Sequence, residues 1–575
     1  MPVLPDHIGS EYICAHLDDI MTDVRKPGRY VGGELHAVVK PHTPATVVFA
    51  FAFPDLYEIG MCHMGLHILY ALLNALPAVV CERVFAPAPD MEKRLAETQV
   101  PLFTLETKTP LRQVDIVGIT VQYELQYTTI LTMLQSAGIP FWQHERTAAD
   151  PIIIGGGPCM LNPEPLAPFF DIMVIGDGEE LTPRMVELYR TVKETVSAEK
   201  RKEAFFDAIA CLDGVYIPHR CAGERTNNGT PAIRKAVVAD LGRVSHPTQL
   251  LVPNIRTVHD RASIEIMRGC PRQCKFCQAR HTYWPVRRRD PDVVHRLARD
   301  IIDATGYQEL SLQSLSIGDY PCVDEVIGAL HEEFAAECVS ISFPSLRVEK
   351  ILKAFTSYAS RIRKTGLTLA IEAATQELRD RIGKDIDIDV VYDVFRSALD
   401  EQCNTIKLYF MIGLPGETMH DIEAIVAFVD SLLAVAREKK KRRMTISLGI
   451  ATFIPKPHTD FERECLDTRE KIAEKQEYLR REFKKRPAIK CSLTDYHVSV
   501  IEALLARGDR SVARLVHAAW ERGARLDAWS EYFRRDVWQE ICAEEQDTVR
   551  RIVYEKPGDE AVLPWDFIEV RPGIK

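Results

Sequence analysis

Short apolar runs recur along this chain at intervals too long for hairpins, and helix-patterned sequence fills the gaps. That alternation constrains the fold more than any other feature. Parallel strands need long crossovers, and a helix is the usual one. A first set of runs lies at 46–51, 115–120, 151–154 and 171–175. It predicts an α/β fold, with a doubly wound, Rossmann-like N-terminal domain over 46–190. A second set lies at 263–266, 309–312, 339–342, 367–371, 406–410 and 445–448. Six strands with helices between them predict a partial (β/α)6 barrel over 259–462, whose chemistry belongs at the C-terminal strand ends. Residues 1–45 read as an irregular arm and 191–258 as a connector. Residues 463–575 read as a helical region that ends in a docking segment at Leu563-Pro564-Trp565-Asp566.

Composition narrows the class. The chain has 575 residues, 46% of them apolar and 27% charged, as in ordinary globular proteins. The longest apolar run, 45–54, is half the length of a membrane-spanning helix, about 20 residues. The first residues have no apolar core of the kind a signal peptide needs, so the expectation is a cytoplasmic protein without membrane contact. A net charge of −10 argues against a general nucleic-acid coat. In a reducing compartment the 15 cysteines read as thiols or metal ligands rather than a disulfide framework.

Three of those cysteines carry the strongest motif. Gly269-Cys270-Pro271-Arg272-Gln273-Cys274-Lys275-Phe276-Cys277 follows the first barrel strand directly. Iron–sulfur clusters are held by thiolates, usually four. Here only three lie together, which leaves one iron open to a small molecule. The competing reading is a zinc site with His281 as fourth ligand. The spacing C-x3-C-x-aromatic-C after a first barrel strand resembles the signature of the radical S-adenosylmethionine (SAM) superfamily. The resemblance implies a [4Fe–4S] cluster on Cys270, Cys274 and Cys277. It also implies SAM on the open iron and one-electron cleavage to a 5′-deoxyadenosyl radical. Phe276 would pack near the adenine. Where the superfamily has a Gly-Gly-Glu-like segment, this chain has 312–316, with Ser314 and Ser316 as the polar candidates. Glu372 falls where a polar side chain meets the ribose. Arg379 and Arg381 either reach the SAM carboxylate or form a solvated helix face. Gly413 and Pro415 belong to a turn like the one that lines the adenine pocket.

The N-terminal domain resembles the cobalamin-binding module of some radical enzymes. Gly155, Gly156, Gly157, Gly176 and Gly178 match its small-residue loops, and Thr120 its Ser/Thr-bearing contact. The first loop departs from the Asp-x-His-x-x-Gly pattern. Asp55, Tyr57 and Gly60 hold the register with tyrosine at the imidazole position, while His63 and His67 lie out of register. Two readings stay open: a corrin site without this ligand, and a module that binds no corrin. Cys62, Cys81 and Cys159 near the strand ends allow a methylthiotransferase-like second cluster, or simply buried thiols.

Segments spread along almost the whole chain are similar to an uncharacterised radical SAM family with a cobalamin-binding-like N-terminal domain. Among them are 30–34, 343–347, 453–459 and 563–566. That family implies chemistry without a known substrate, a small partner protein in some members, and an external electron donor such as flavodoxin or ferredoxin. Lys456 and His458 would stand at the barrel mouth, as an anion grip or as loop structure. The basic clusters 287–289, 439–443 and 484–486 read as solvated faces, with RNA binding as the alternative. The expected reaction is radical methyl transfer through methylcobalamin to an unactivated carbon. A corrin-free radical enzyme or methylthiotransferase acting on RNA or protein is the runner-up. An iron–sulfur redox sensor or scaffold is the non-enzymatic alternative.

Overall fold

The computed structural model describes residues 8–221, 233–342, 367–400, 405–439 and 444–571. The N-terminal domain is a six-stranded sheet built from β1 (Val47–Phe53), β2 (Val79–Phe85), β3 (Ile116–Thr120), β4 (Ile152–Gly156), β5 (Ile172–Val174) and β6 (Val215–Tyr216). The order is β2-β1-β3-β4-β5-β6, parallel except for the β6 edge. Every residue of β1 is buried, as a parallel strand covered on both faces must be. Helix α1 (Met64–Ala75) follows β1, α2 (Tyr127–Ala137) follows β3 and α3 (Leu181–Thr195) follows β5. In this topology ligands bind beyond the carboxyl ends of the strands, where the strand order reverses beside β1.

Strand β2 is absent from the sequence expectation. Its run, Val79-Val80-Cys81-Glu82-Arg83-Val84-Phe85, is broken by two charges that turn out to be fully buried. Arg83 Nη2 meets Glu34 at 2.7 Å and its Nε meets Glu106 at 2.6 Å. Glu82 accepts from the hydroxyls of Thr104 and Thr107 and contacts His42 at 2.8 Å. Long-range partners therefore allow a charged pair inside a strand that hydropathy alone would reject.

A short strand, β7 (Ile233–Arg234), leads to the barrel unit. Its strands are β8 (Ala262–Glu265), β9 (Met267–Arg268), β10 (Arg287–Arg288), β11 (Glu309–Gln313), β12 (Ser340–Ser342), β13 (Leu367–Glu372), β14 (Thr405–Ile412), β15 (Thr445–Thr452) and β16 (Ile489–Leu493). Two parallel sheets form, β12-β11-β8 and β13-β14-β15-β16, with β9 and β10 as a small antiparallel pair. All six expected barrel strands are present. The stretch expected to be helical from 463 onward contains two strands, β16, parallel to β15, and a short one near its end. In β13, β14 and β15 alternate residues are buried against outer helices, while Thr368, Lys407 and Tyr409 on the other face stay exposed. The concave side of this sheet is therefore not filled by its own side chains.

The C-terminal helices α4 (Tyr496–Arg507), α5 (Val512–Glu521) and α6 (Arg535–Glu544) turn back onto the N-terminal domain. Val500, Leu504, Leu515 and Trp538 share one apolar core with Ile130 and Leu134 of α2. Trp529 Nε1 donates to Asp55 at 2.8 Å and Trp520 Nε1 to Thr132 at 3.1 Å. The tail docks as expected. Trp565 is 1% exposed and donates to Glu462 at 2.7 Å, and β17 (Ile568–Glu569) pairs with β7. Among the described residues no helix is long and apolar enough to cross a membrane.

Asp527 sits inside the joint between α6 and α2. Its Oδ2 accepts from Thr128 at 2.8 Å and Trp538 at 3.2 Å, while Oδ1 has no hydrogen-bond partner. Burial pushes its carboxyl up to about 6. A carboxyl raised in the folded state takes up protons on folding, so its cost is absent below its unfolded value and full above about 6. Asp527→Asn is expected to stabilise the protein by about 1–2 kcal/mol at pH 7.5, part of the roughly 3 kcal/mol that two pKa units represent. The gain should vanish by about pH 4, the unperturbed Asp value. Urea denaturation of both proteins at the two pH values checks this. A gain that is larger in acid contradicts it.

Candidate functional site

The cysteine loop leaves β9 through Gly269, whose φ of +86° and close approach to the carbonyls of Tyr283 and Pro285 leave no room for a side chain. Cys270, Cys274 and Cys277 are half-buried on this loop. Burial pushes the Cys270 and Cys274 thiols up, and neighbouring thiols add to it, while Lys384 beside Cys274 favours the thiolate. Three contacts pin the loop. Arg272 clamps Asp319, with Nε–Oδ2 at 2.9 Å; the Lys275 amide donates to Ile382 O at 2.9 Å; and the Cys277 amide donates to Cys274 O at 3.2 Å. Among the described residues no three His, Cys, Asp or Glu side chains converge as around a single ion. A cuboidal cluster differs, because each thiolate meets its own iron. His281, the fourth ligand of the zinc alternative, is surrounded by Arg571, Arg280, His458 and Lys235 instead. The donor set fits a three-thiolate cluster.

Several predicted neighbours gather around this loop. Phe276 packs against the buried cluster of Ala373, Leu378, Ile382, Leu414 and Phe453. This places it beside the Gly413–Pro415 turn. Gly413 has φ +83°, and its amide donates to Glu417 at 2.8 Å. Glu372 ends β13 with φ +67°, a left-handed backbone that costs a non-glycine residue on the order of 1–3 kcal/mol and clusters at functional sites. Its carboxyl is raised by burial and meets Lys384 at 3.4 Å, next to Cys274. Ser316 donates to Asp319 at 2.7 Å and so buttresses Arg272, while Ser314 accepts from the Ser316 amide at 3.1 Å. The two arginines need correction. Arg379 is 2% exposed and gives its two Nη groups to the Ala373 and Ala374 carbonyls and to Gln376, with Nε left without a partner. Arg381 donates to Gly416 O at 2.7 Å. Both brace loops rather than offer a carboxylate clamp.

Between this loop and the carboxyl ends of the N-terminal strands lies a cavity of about 580 Å³. Gly155, Gly156, Gly157, Gly176, Gly178 and Thr120 line it from one side, and Gly269, Gln313 and Ser314 from the other. A Cβ on Gly156 would meet nothing within 4 Å. Gly157 has φ +100°, and its Cβ would lie 2.6 Å from Val121 O. Gly176 is needed for a backbone bridge to Ala236. Tyr57 and Gly60 do not line the cavity. Tyr57 is 1% exposed and its hydroxyl donates to Glu34 at 2.9 Å, while Gly60 packs under Phe85. His63, out of register in the sequence, is the imidazole that reaches the cavity wall. Its Nδ1 accepts from the Leu66 amide at 3.1 Å, and burial pushes its pKa down to about 4. The ring is therefore neutral with its proton on Nε2.

One ion network joins the two loops. Arg268, two residues before Cys270, meets Asp177 at 3.0 Å, Glu265 at 2.8 Å and Glu179. Arg287 also holds Asp177 and donates to Val238 O at 2.8 Å. Asp177 is held well below the usual carboxylate range by these two guanidinium groups, against its burial. Sequence reasoning missed Arg268 and Glu265, which lie in the strand before the motif. It also took 287–289 for a solvated patch, whereas Arg287 and Arg289 are buried and bonded inside. Of the other basic clusters, Lys485 and Arg486 pair with Glu482 and Asp430, and 440–443 lie outside the described residues.

Lys456 is likewise not free. It sits between Glu124 at 2.7 Å and Glu502 at 2.9 Å, tying barrel, N-terminal domain and α4 together. His458 Nε2 meets Leu161 O at 2.9 Å. Cys62, Cys81 and Cys159 have separate surroundings: Cys62 beside Glu58 O and His259, Cys81 among Glu106, Glu82 and Arg83, and Cys159 beside Tyr127 and Glu124.

Removing Arg268 strands Glu179 and Glu265 in a dry interface and leaves Asp177 with Arg287 alone. Arg268→Met is expected to cost about 3–5 kcal/mol and to lower bound iron per chain, because the cysteine loop loses its anchor. Cys274→Ala should lower iron with little change in unfolding free energy of the metal-free chain. Iron assay and denaturation together test both; an Arg268→Met chain as stable as the parent rejects the anchor.

The chain matches two family models, described as radical SAM proteins, N-terminal (residues 65–218), and radical SAM superfamily (residues 264–429). It is 26% identical over 504 residues to the uncharacterized protein MJ0966 of Methanocaldococcus jannaschii, a match covering 86% of this chain and 98% of that one. It is 23% identical to the ribosomal protein uS12 methylthiotransferase RimO of Nitratidesulfovibrio vulgaris, over 45% of this chain and 64% of that one. Among solved structures it resembles TsrM, a radical SAM methyltransferase from Kitasatospora setae with cobalamin and a [4Fe–4S] cluster bound. That match has 14% identity and a TM-score of 0.47, over 70% of this chain and 75% of that one. It also resembles the cobalamin-dependent SAM radical enzyme OxsB, with 12% identity and a TM-score of 0.49, over 89% and 82% of the two chains. With the cysteine loop placed at the head of its barrel and both models aligned to its two α/β units, this chain belongs to the radical SAM superfamily.

Proposed function

We propose that this chain is a corrin-dependent radical SAM methyltransferase that acts on an unactivated carbon. The observation that carries this reading is the 580 Å³ cavity, shared between the glycine-lined strand ends and the cysteine loop. Its size falls within the roughly 300–1,000 Å³ of small-molecule sites. Its glycines let a broad, flat ligand approach the backbone. When bound, the cluster with SAM supplies one-electron cleavage of the sulfonium, and the corrin supplies a transferable methyl group.

The chain's own residues do the rest. Cys270, Cys274 and Cys277 provide three thiolates, and Phe276 with Leu414 and Phe453 keeps water from that side. Phe49, Phe51, Ile154 and Val174 make the cavity floor apolar. The His63 ring, bonded to the Leu66 amide and to Gln122, forms part of the wall, and Tyr57 at the imidazole position is turned to Glu34. The open concave face with Thr368, Lys407 and Tyr409 leaves space for a substrate. An external one-electron donor, such as flavodoxin or ferredoxin, completes the scheme.

Anaerobic purification with hydroxocobalamin, followed by desalting and absorbance, tests the reading. About one corrin per chain is expected. Gly156→Leu, which fills the open space over that glycine, should cut corrin retention by at least about tenfold, roughly 1.4 kcal/mol, and leave iron content unchanged. Intact cluster without retained corrin in the parent refutes corrin dependence.

A further inference from the structure

Arg280 and His281 lie just beyond the cysteine motif, on the short helix Ala279–Thr282. The helix faces the loop after β15, where Gln278 Nε2 reaches Pro457 O at 3.5 Å, and the tail at Arg571. Two guanidinium donors and one imidazole nitrogen end here without a hydrogen-bond partner: Arg280 Nη1, Arg571 Nε and His281 Nε2. His281 is 7% exposed and the Arg280 side chain 13%. Orphaned buried donors are rare, because each costs about 1–3 kcal/mol.

The charges are unbalanced as well. Arg280 and Arg571 repel one another, and the carboxylate that faces them, Asp460, is 3.7 Å from Arg280 and 42% exposed. Burial first, then Arg571, Arg280, His458 and Lys235, push His281 down to about 3. Two of those neighbours are already used. Lys235 gives its ammonium to the carbonyls of His281, Thr282 and Trp284, and His458 gives its ring nitrogen to Leu161 O. Lys235 adds positive potential without closing the site, while His458, pushed down to about 4 by burial, stays neutral. Like charges gathered with unused donors form an anion receptor, and guanidinium groups match oxyanions in shape.

We infer that Arg280, His281 and Arg571 bind an oxyanion, the phosphate or carboxylate group of a small molecule, at the mouth of the barrel beside the cysteine loop. The assignment does not depend on corrin binding. It places an anion grip a short distance from Lys456 and His458, whose side chains are committed elsewhere.

Calorimetric titration of the cluster-loaded full chain with inorganic phosphate, and separately with acetate, tests this in a buffer free of other oxyanions. Saturable binding of one probe at one per chain is expected, and which probe binds tighter identifies the group. The Arg280→Gln/Arg571→Gln double variant should bind at least about tenfold more weakly, and without anion it should be as stable as the parent or more so. His281→Phe keeps the ring volume and should also weaken binding, so misfolding of the double variant leaves the question answerable. Arg243→Gln, at an 87% exposed arginine, should bind as the parent does. No binding of either probe, equal loss in Arg243→Gln, or parent-like binding in both site variants overturns the assignment.

Discussion

The structure turns on Arg268. Its guanidinium is almost dry and faces three carboxylates, Asp177 and Glu179 from the N-terminal domain and Glu265 from the first barrel strand. An arginine in such a setting stays charged, and its planar fork can satisfy several acids at once. Because it stands two residues before Cys270, the network that docks the domains also fixes the start of the cysteine loop. Because Asp177 and Glu179 alternate with Gly176 and Gly178, it fixes the glycine loop as well. The cavity between these loops has its width set by buried electrostatics rather than by a linker.

A second tie acts on the far side. Lys456 joins Glu124 to Glu502, and the Tyr123 hydroxyl closes on Glu502 at 2.5 Å. The C-terminal helices then share the core of α2, so the region after the barrel works as a strap over the N-terminal domain. Buried ion pairs add little net stability on average, but removing one partner is costly, so they specify geometry. Here they specify that two α/β units face each other with their carboxyl strand ends together. The exposed inner face of β13 and β14 follows the same logic, since a barrel packed with its own side chains would leave no room for reactants.

The barrel was legible because its strands alternate apolar and polar residues at regular intervals between helix-patterned stretches, and its first loop carries an unusual cysteine spacing. Phe276, Glu372 and Gly413 were singled out through the resemblance alone, and their strand-end positions bring them near that loop in the fold. Strand β2 was not legible, because Glu82 and Arg83 are charged in the sequence and neutralised only by residues 22 to 49 positions away. Strand β16 was hidden by its short, alternating run between helices. The sequence left two readings open for Arg379 and Arg381, because a charge near a strand end looks the same whether it faces a ligand, solvent or a carbonyl.

The sequence by itself determined the local elements and the chemistry of the cysteine loop, since apolar period and thiol spacing act over a few residues. It also determined which loops need glycine. Only the tertiary structure decided which polar groups are spent and which are free. Lys456, Arg287 and Tyr57 are consumed by distant partners, while Arg280 and His281 keep nitrogens without a hydrogen-bond partner. The physical reason is that a buried charge or hydrogen-bonding group is set by what desolvates it and what pairs with it, and in this fold those partners lie tens to hundreds of residues away.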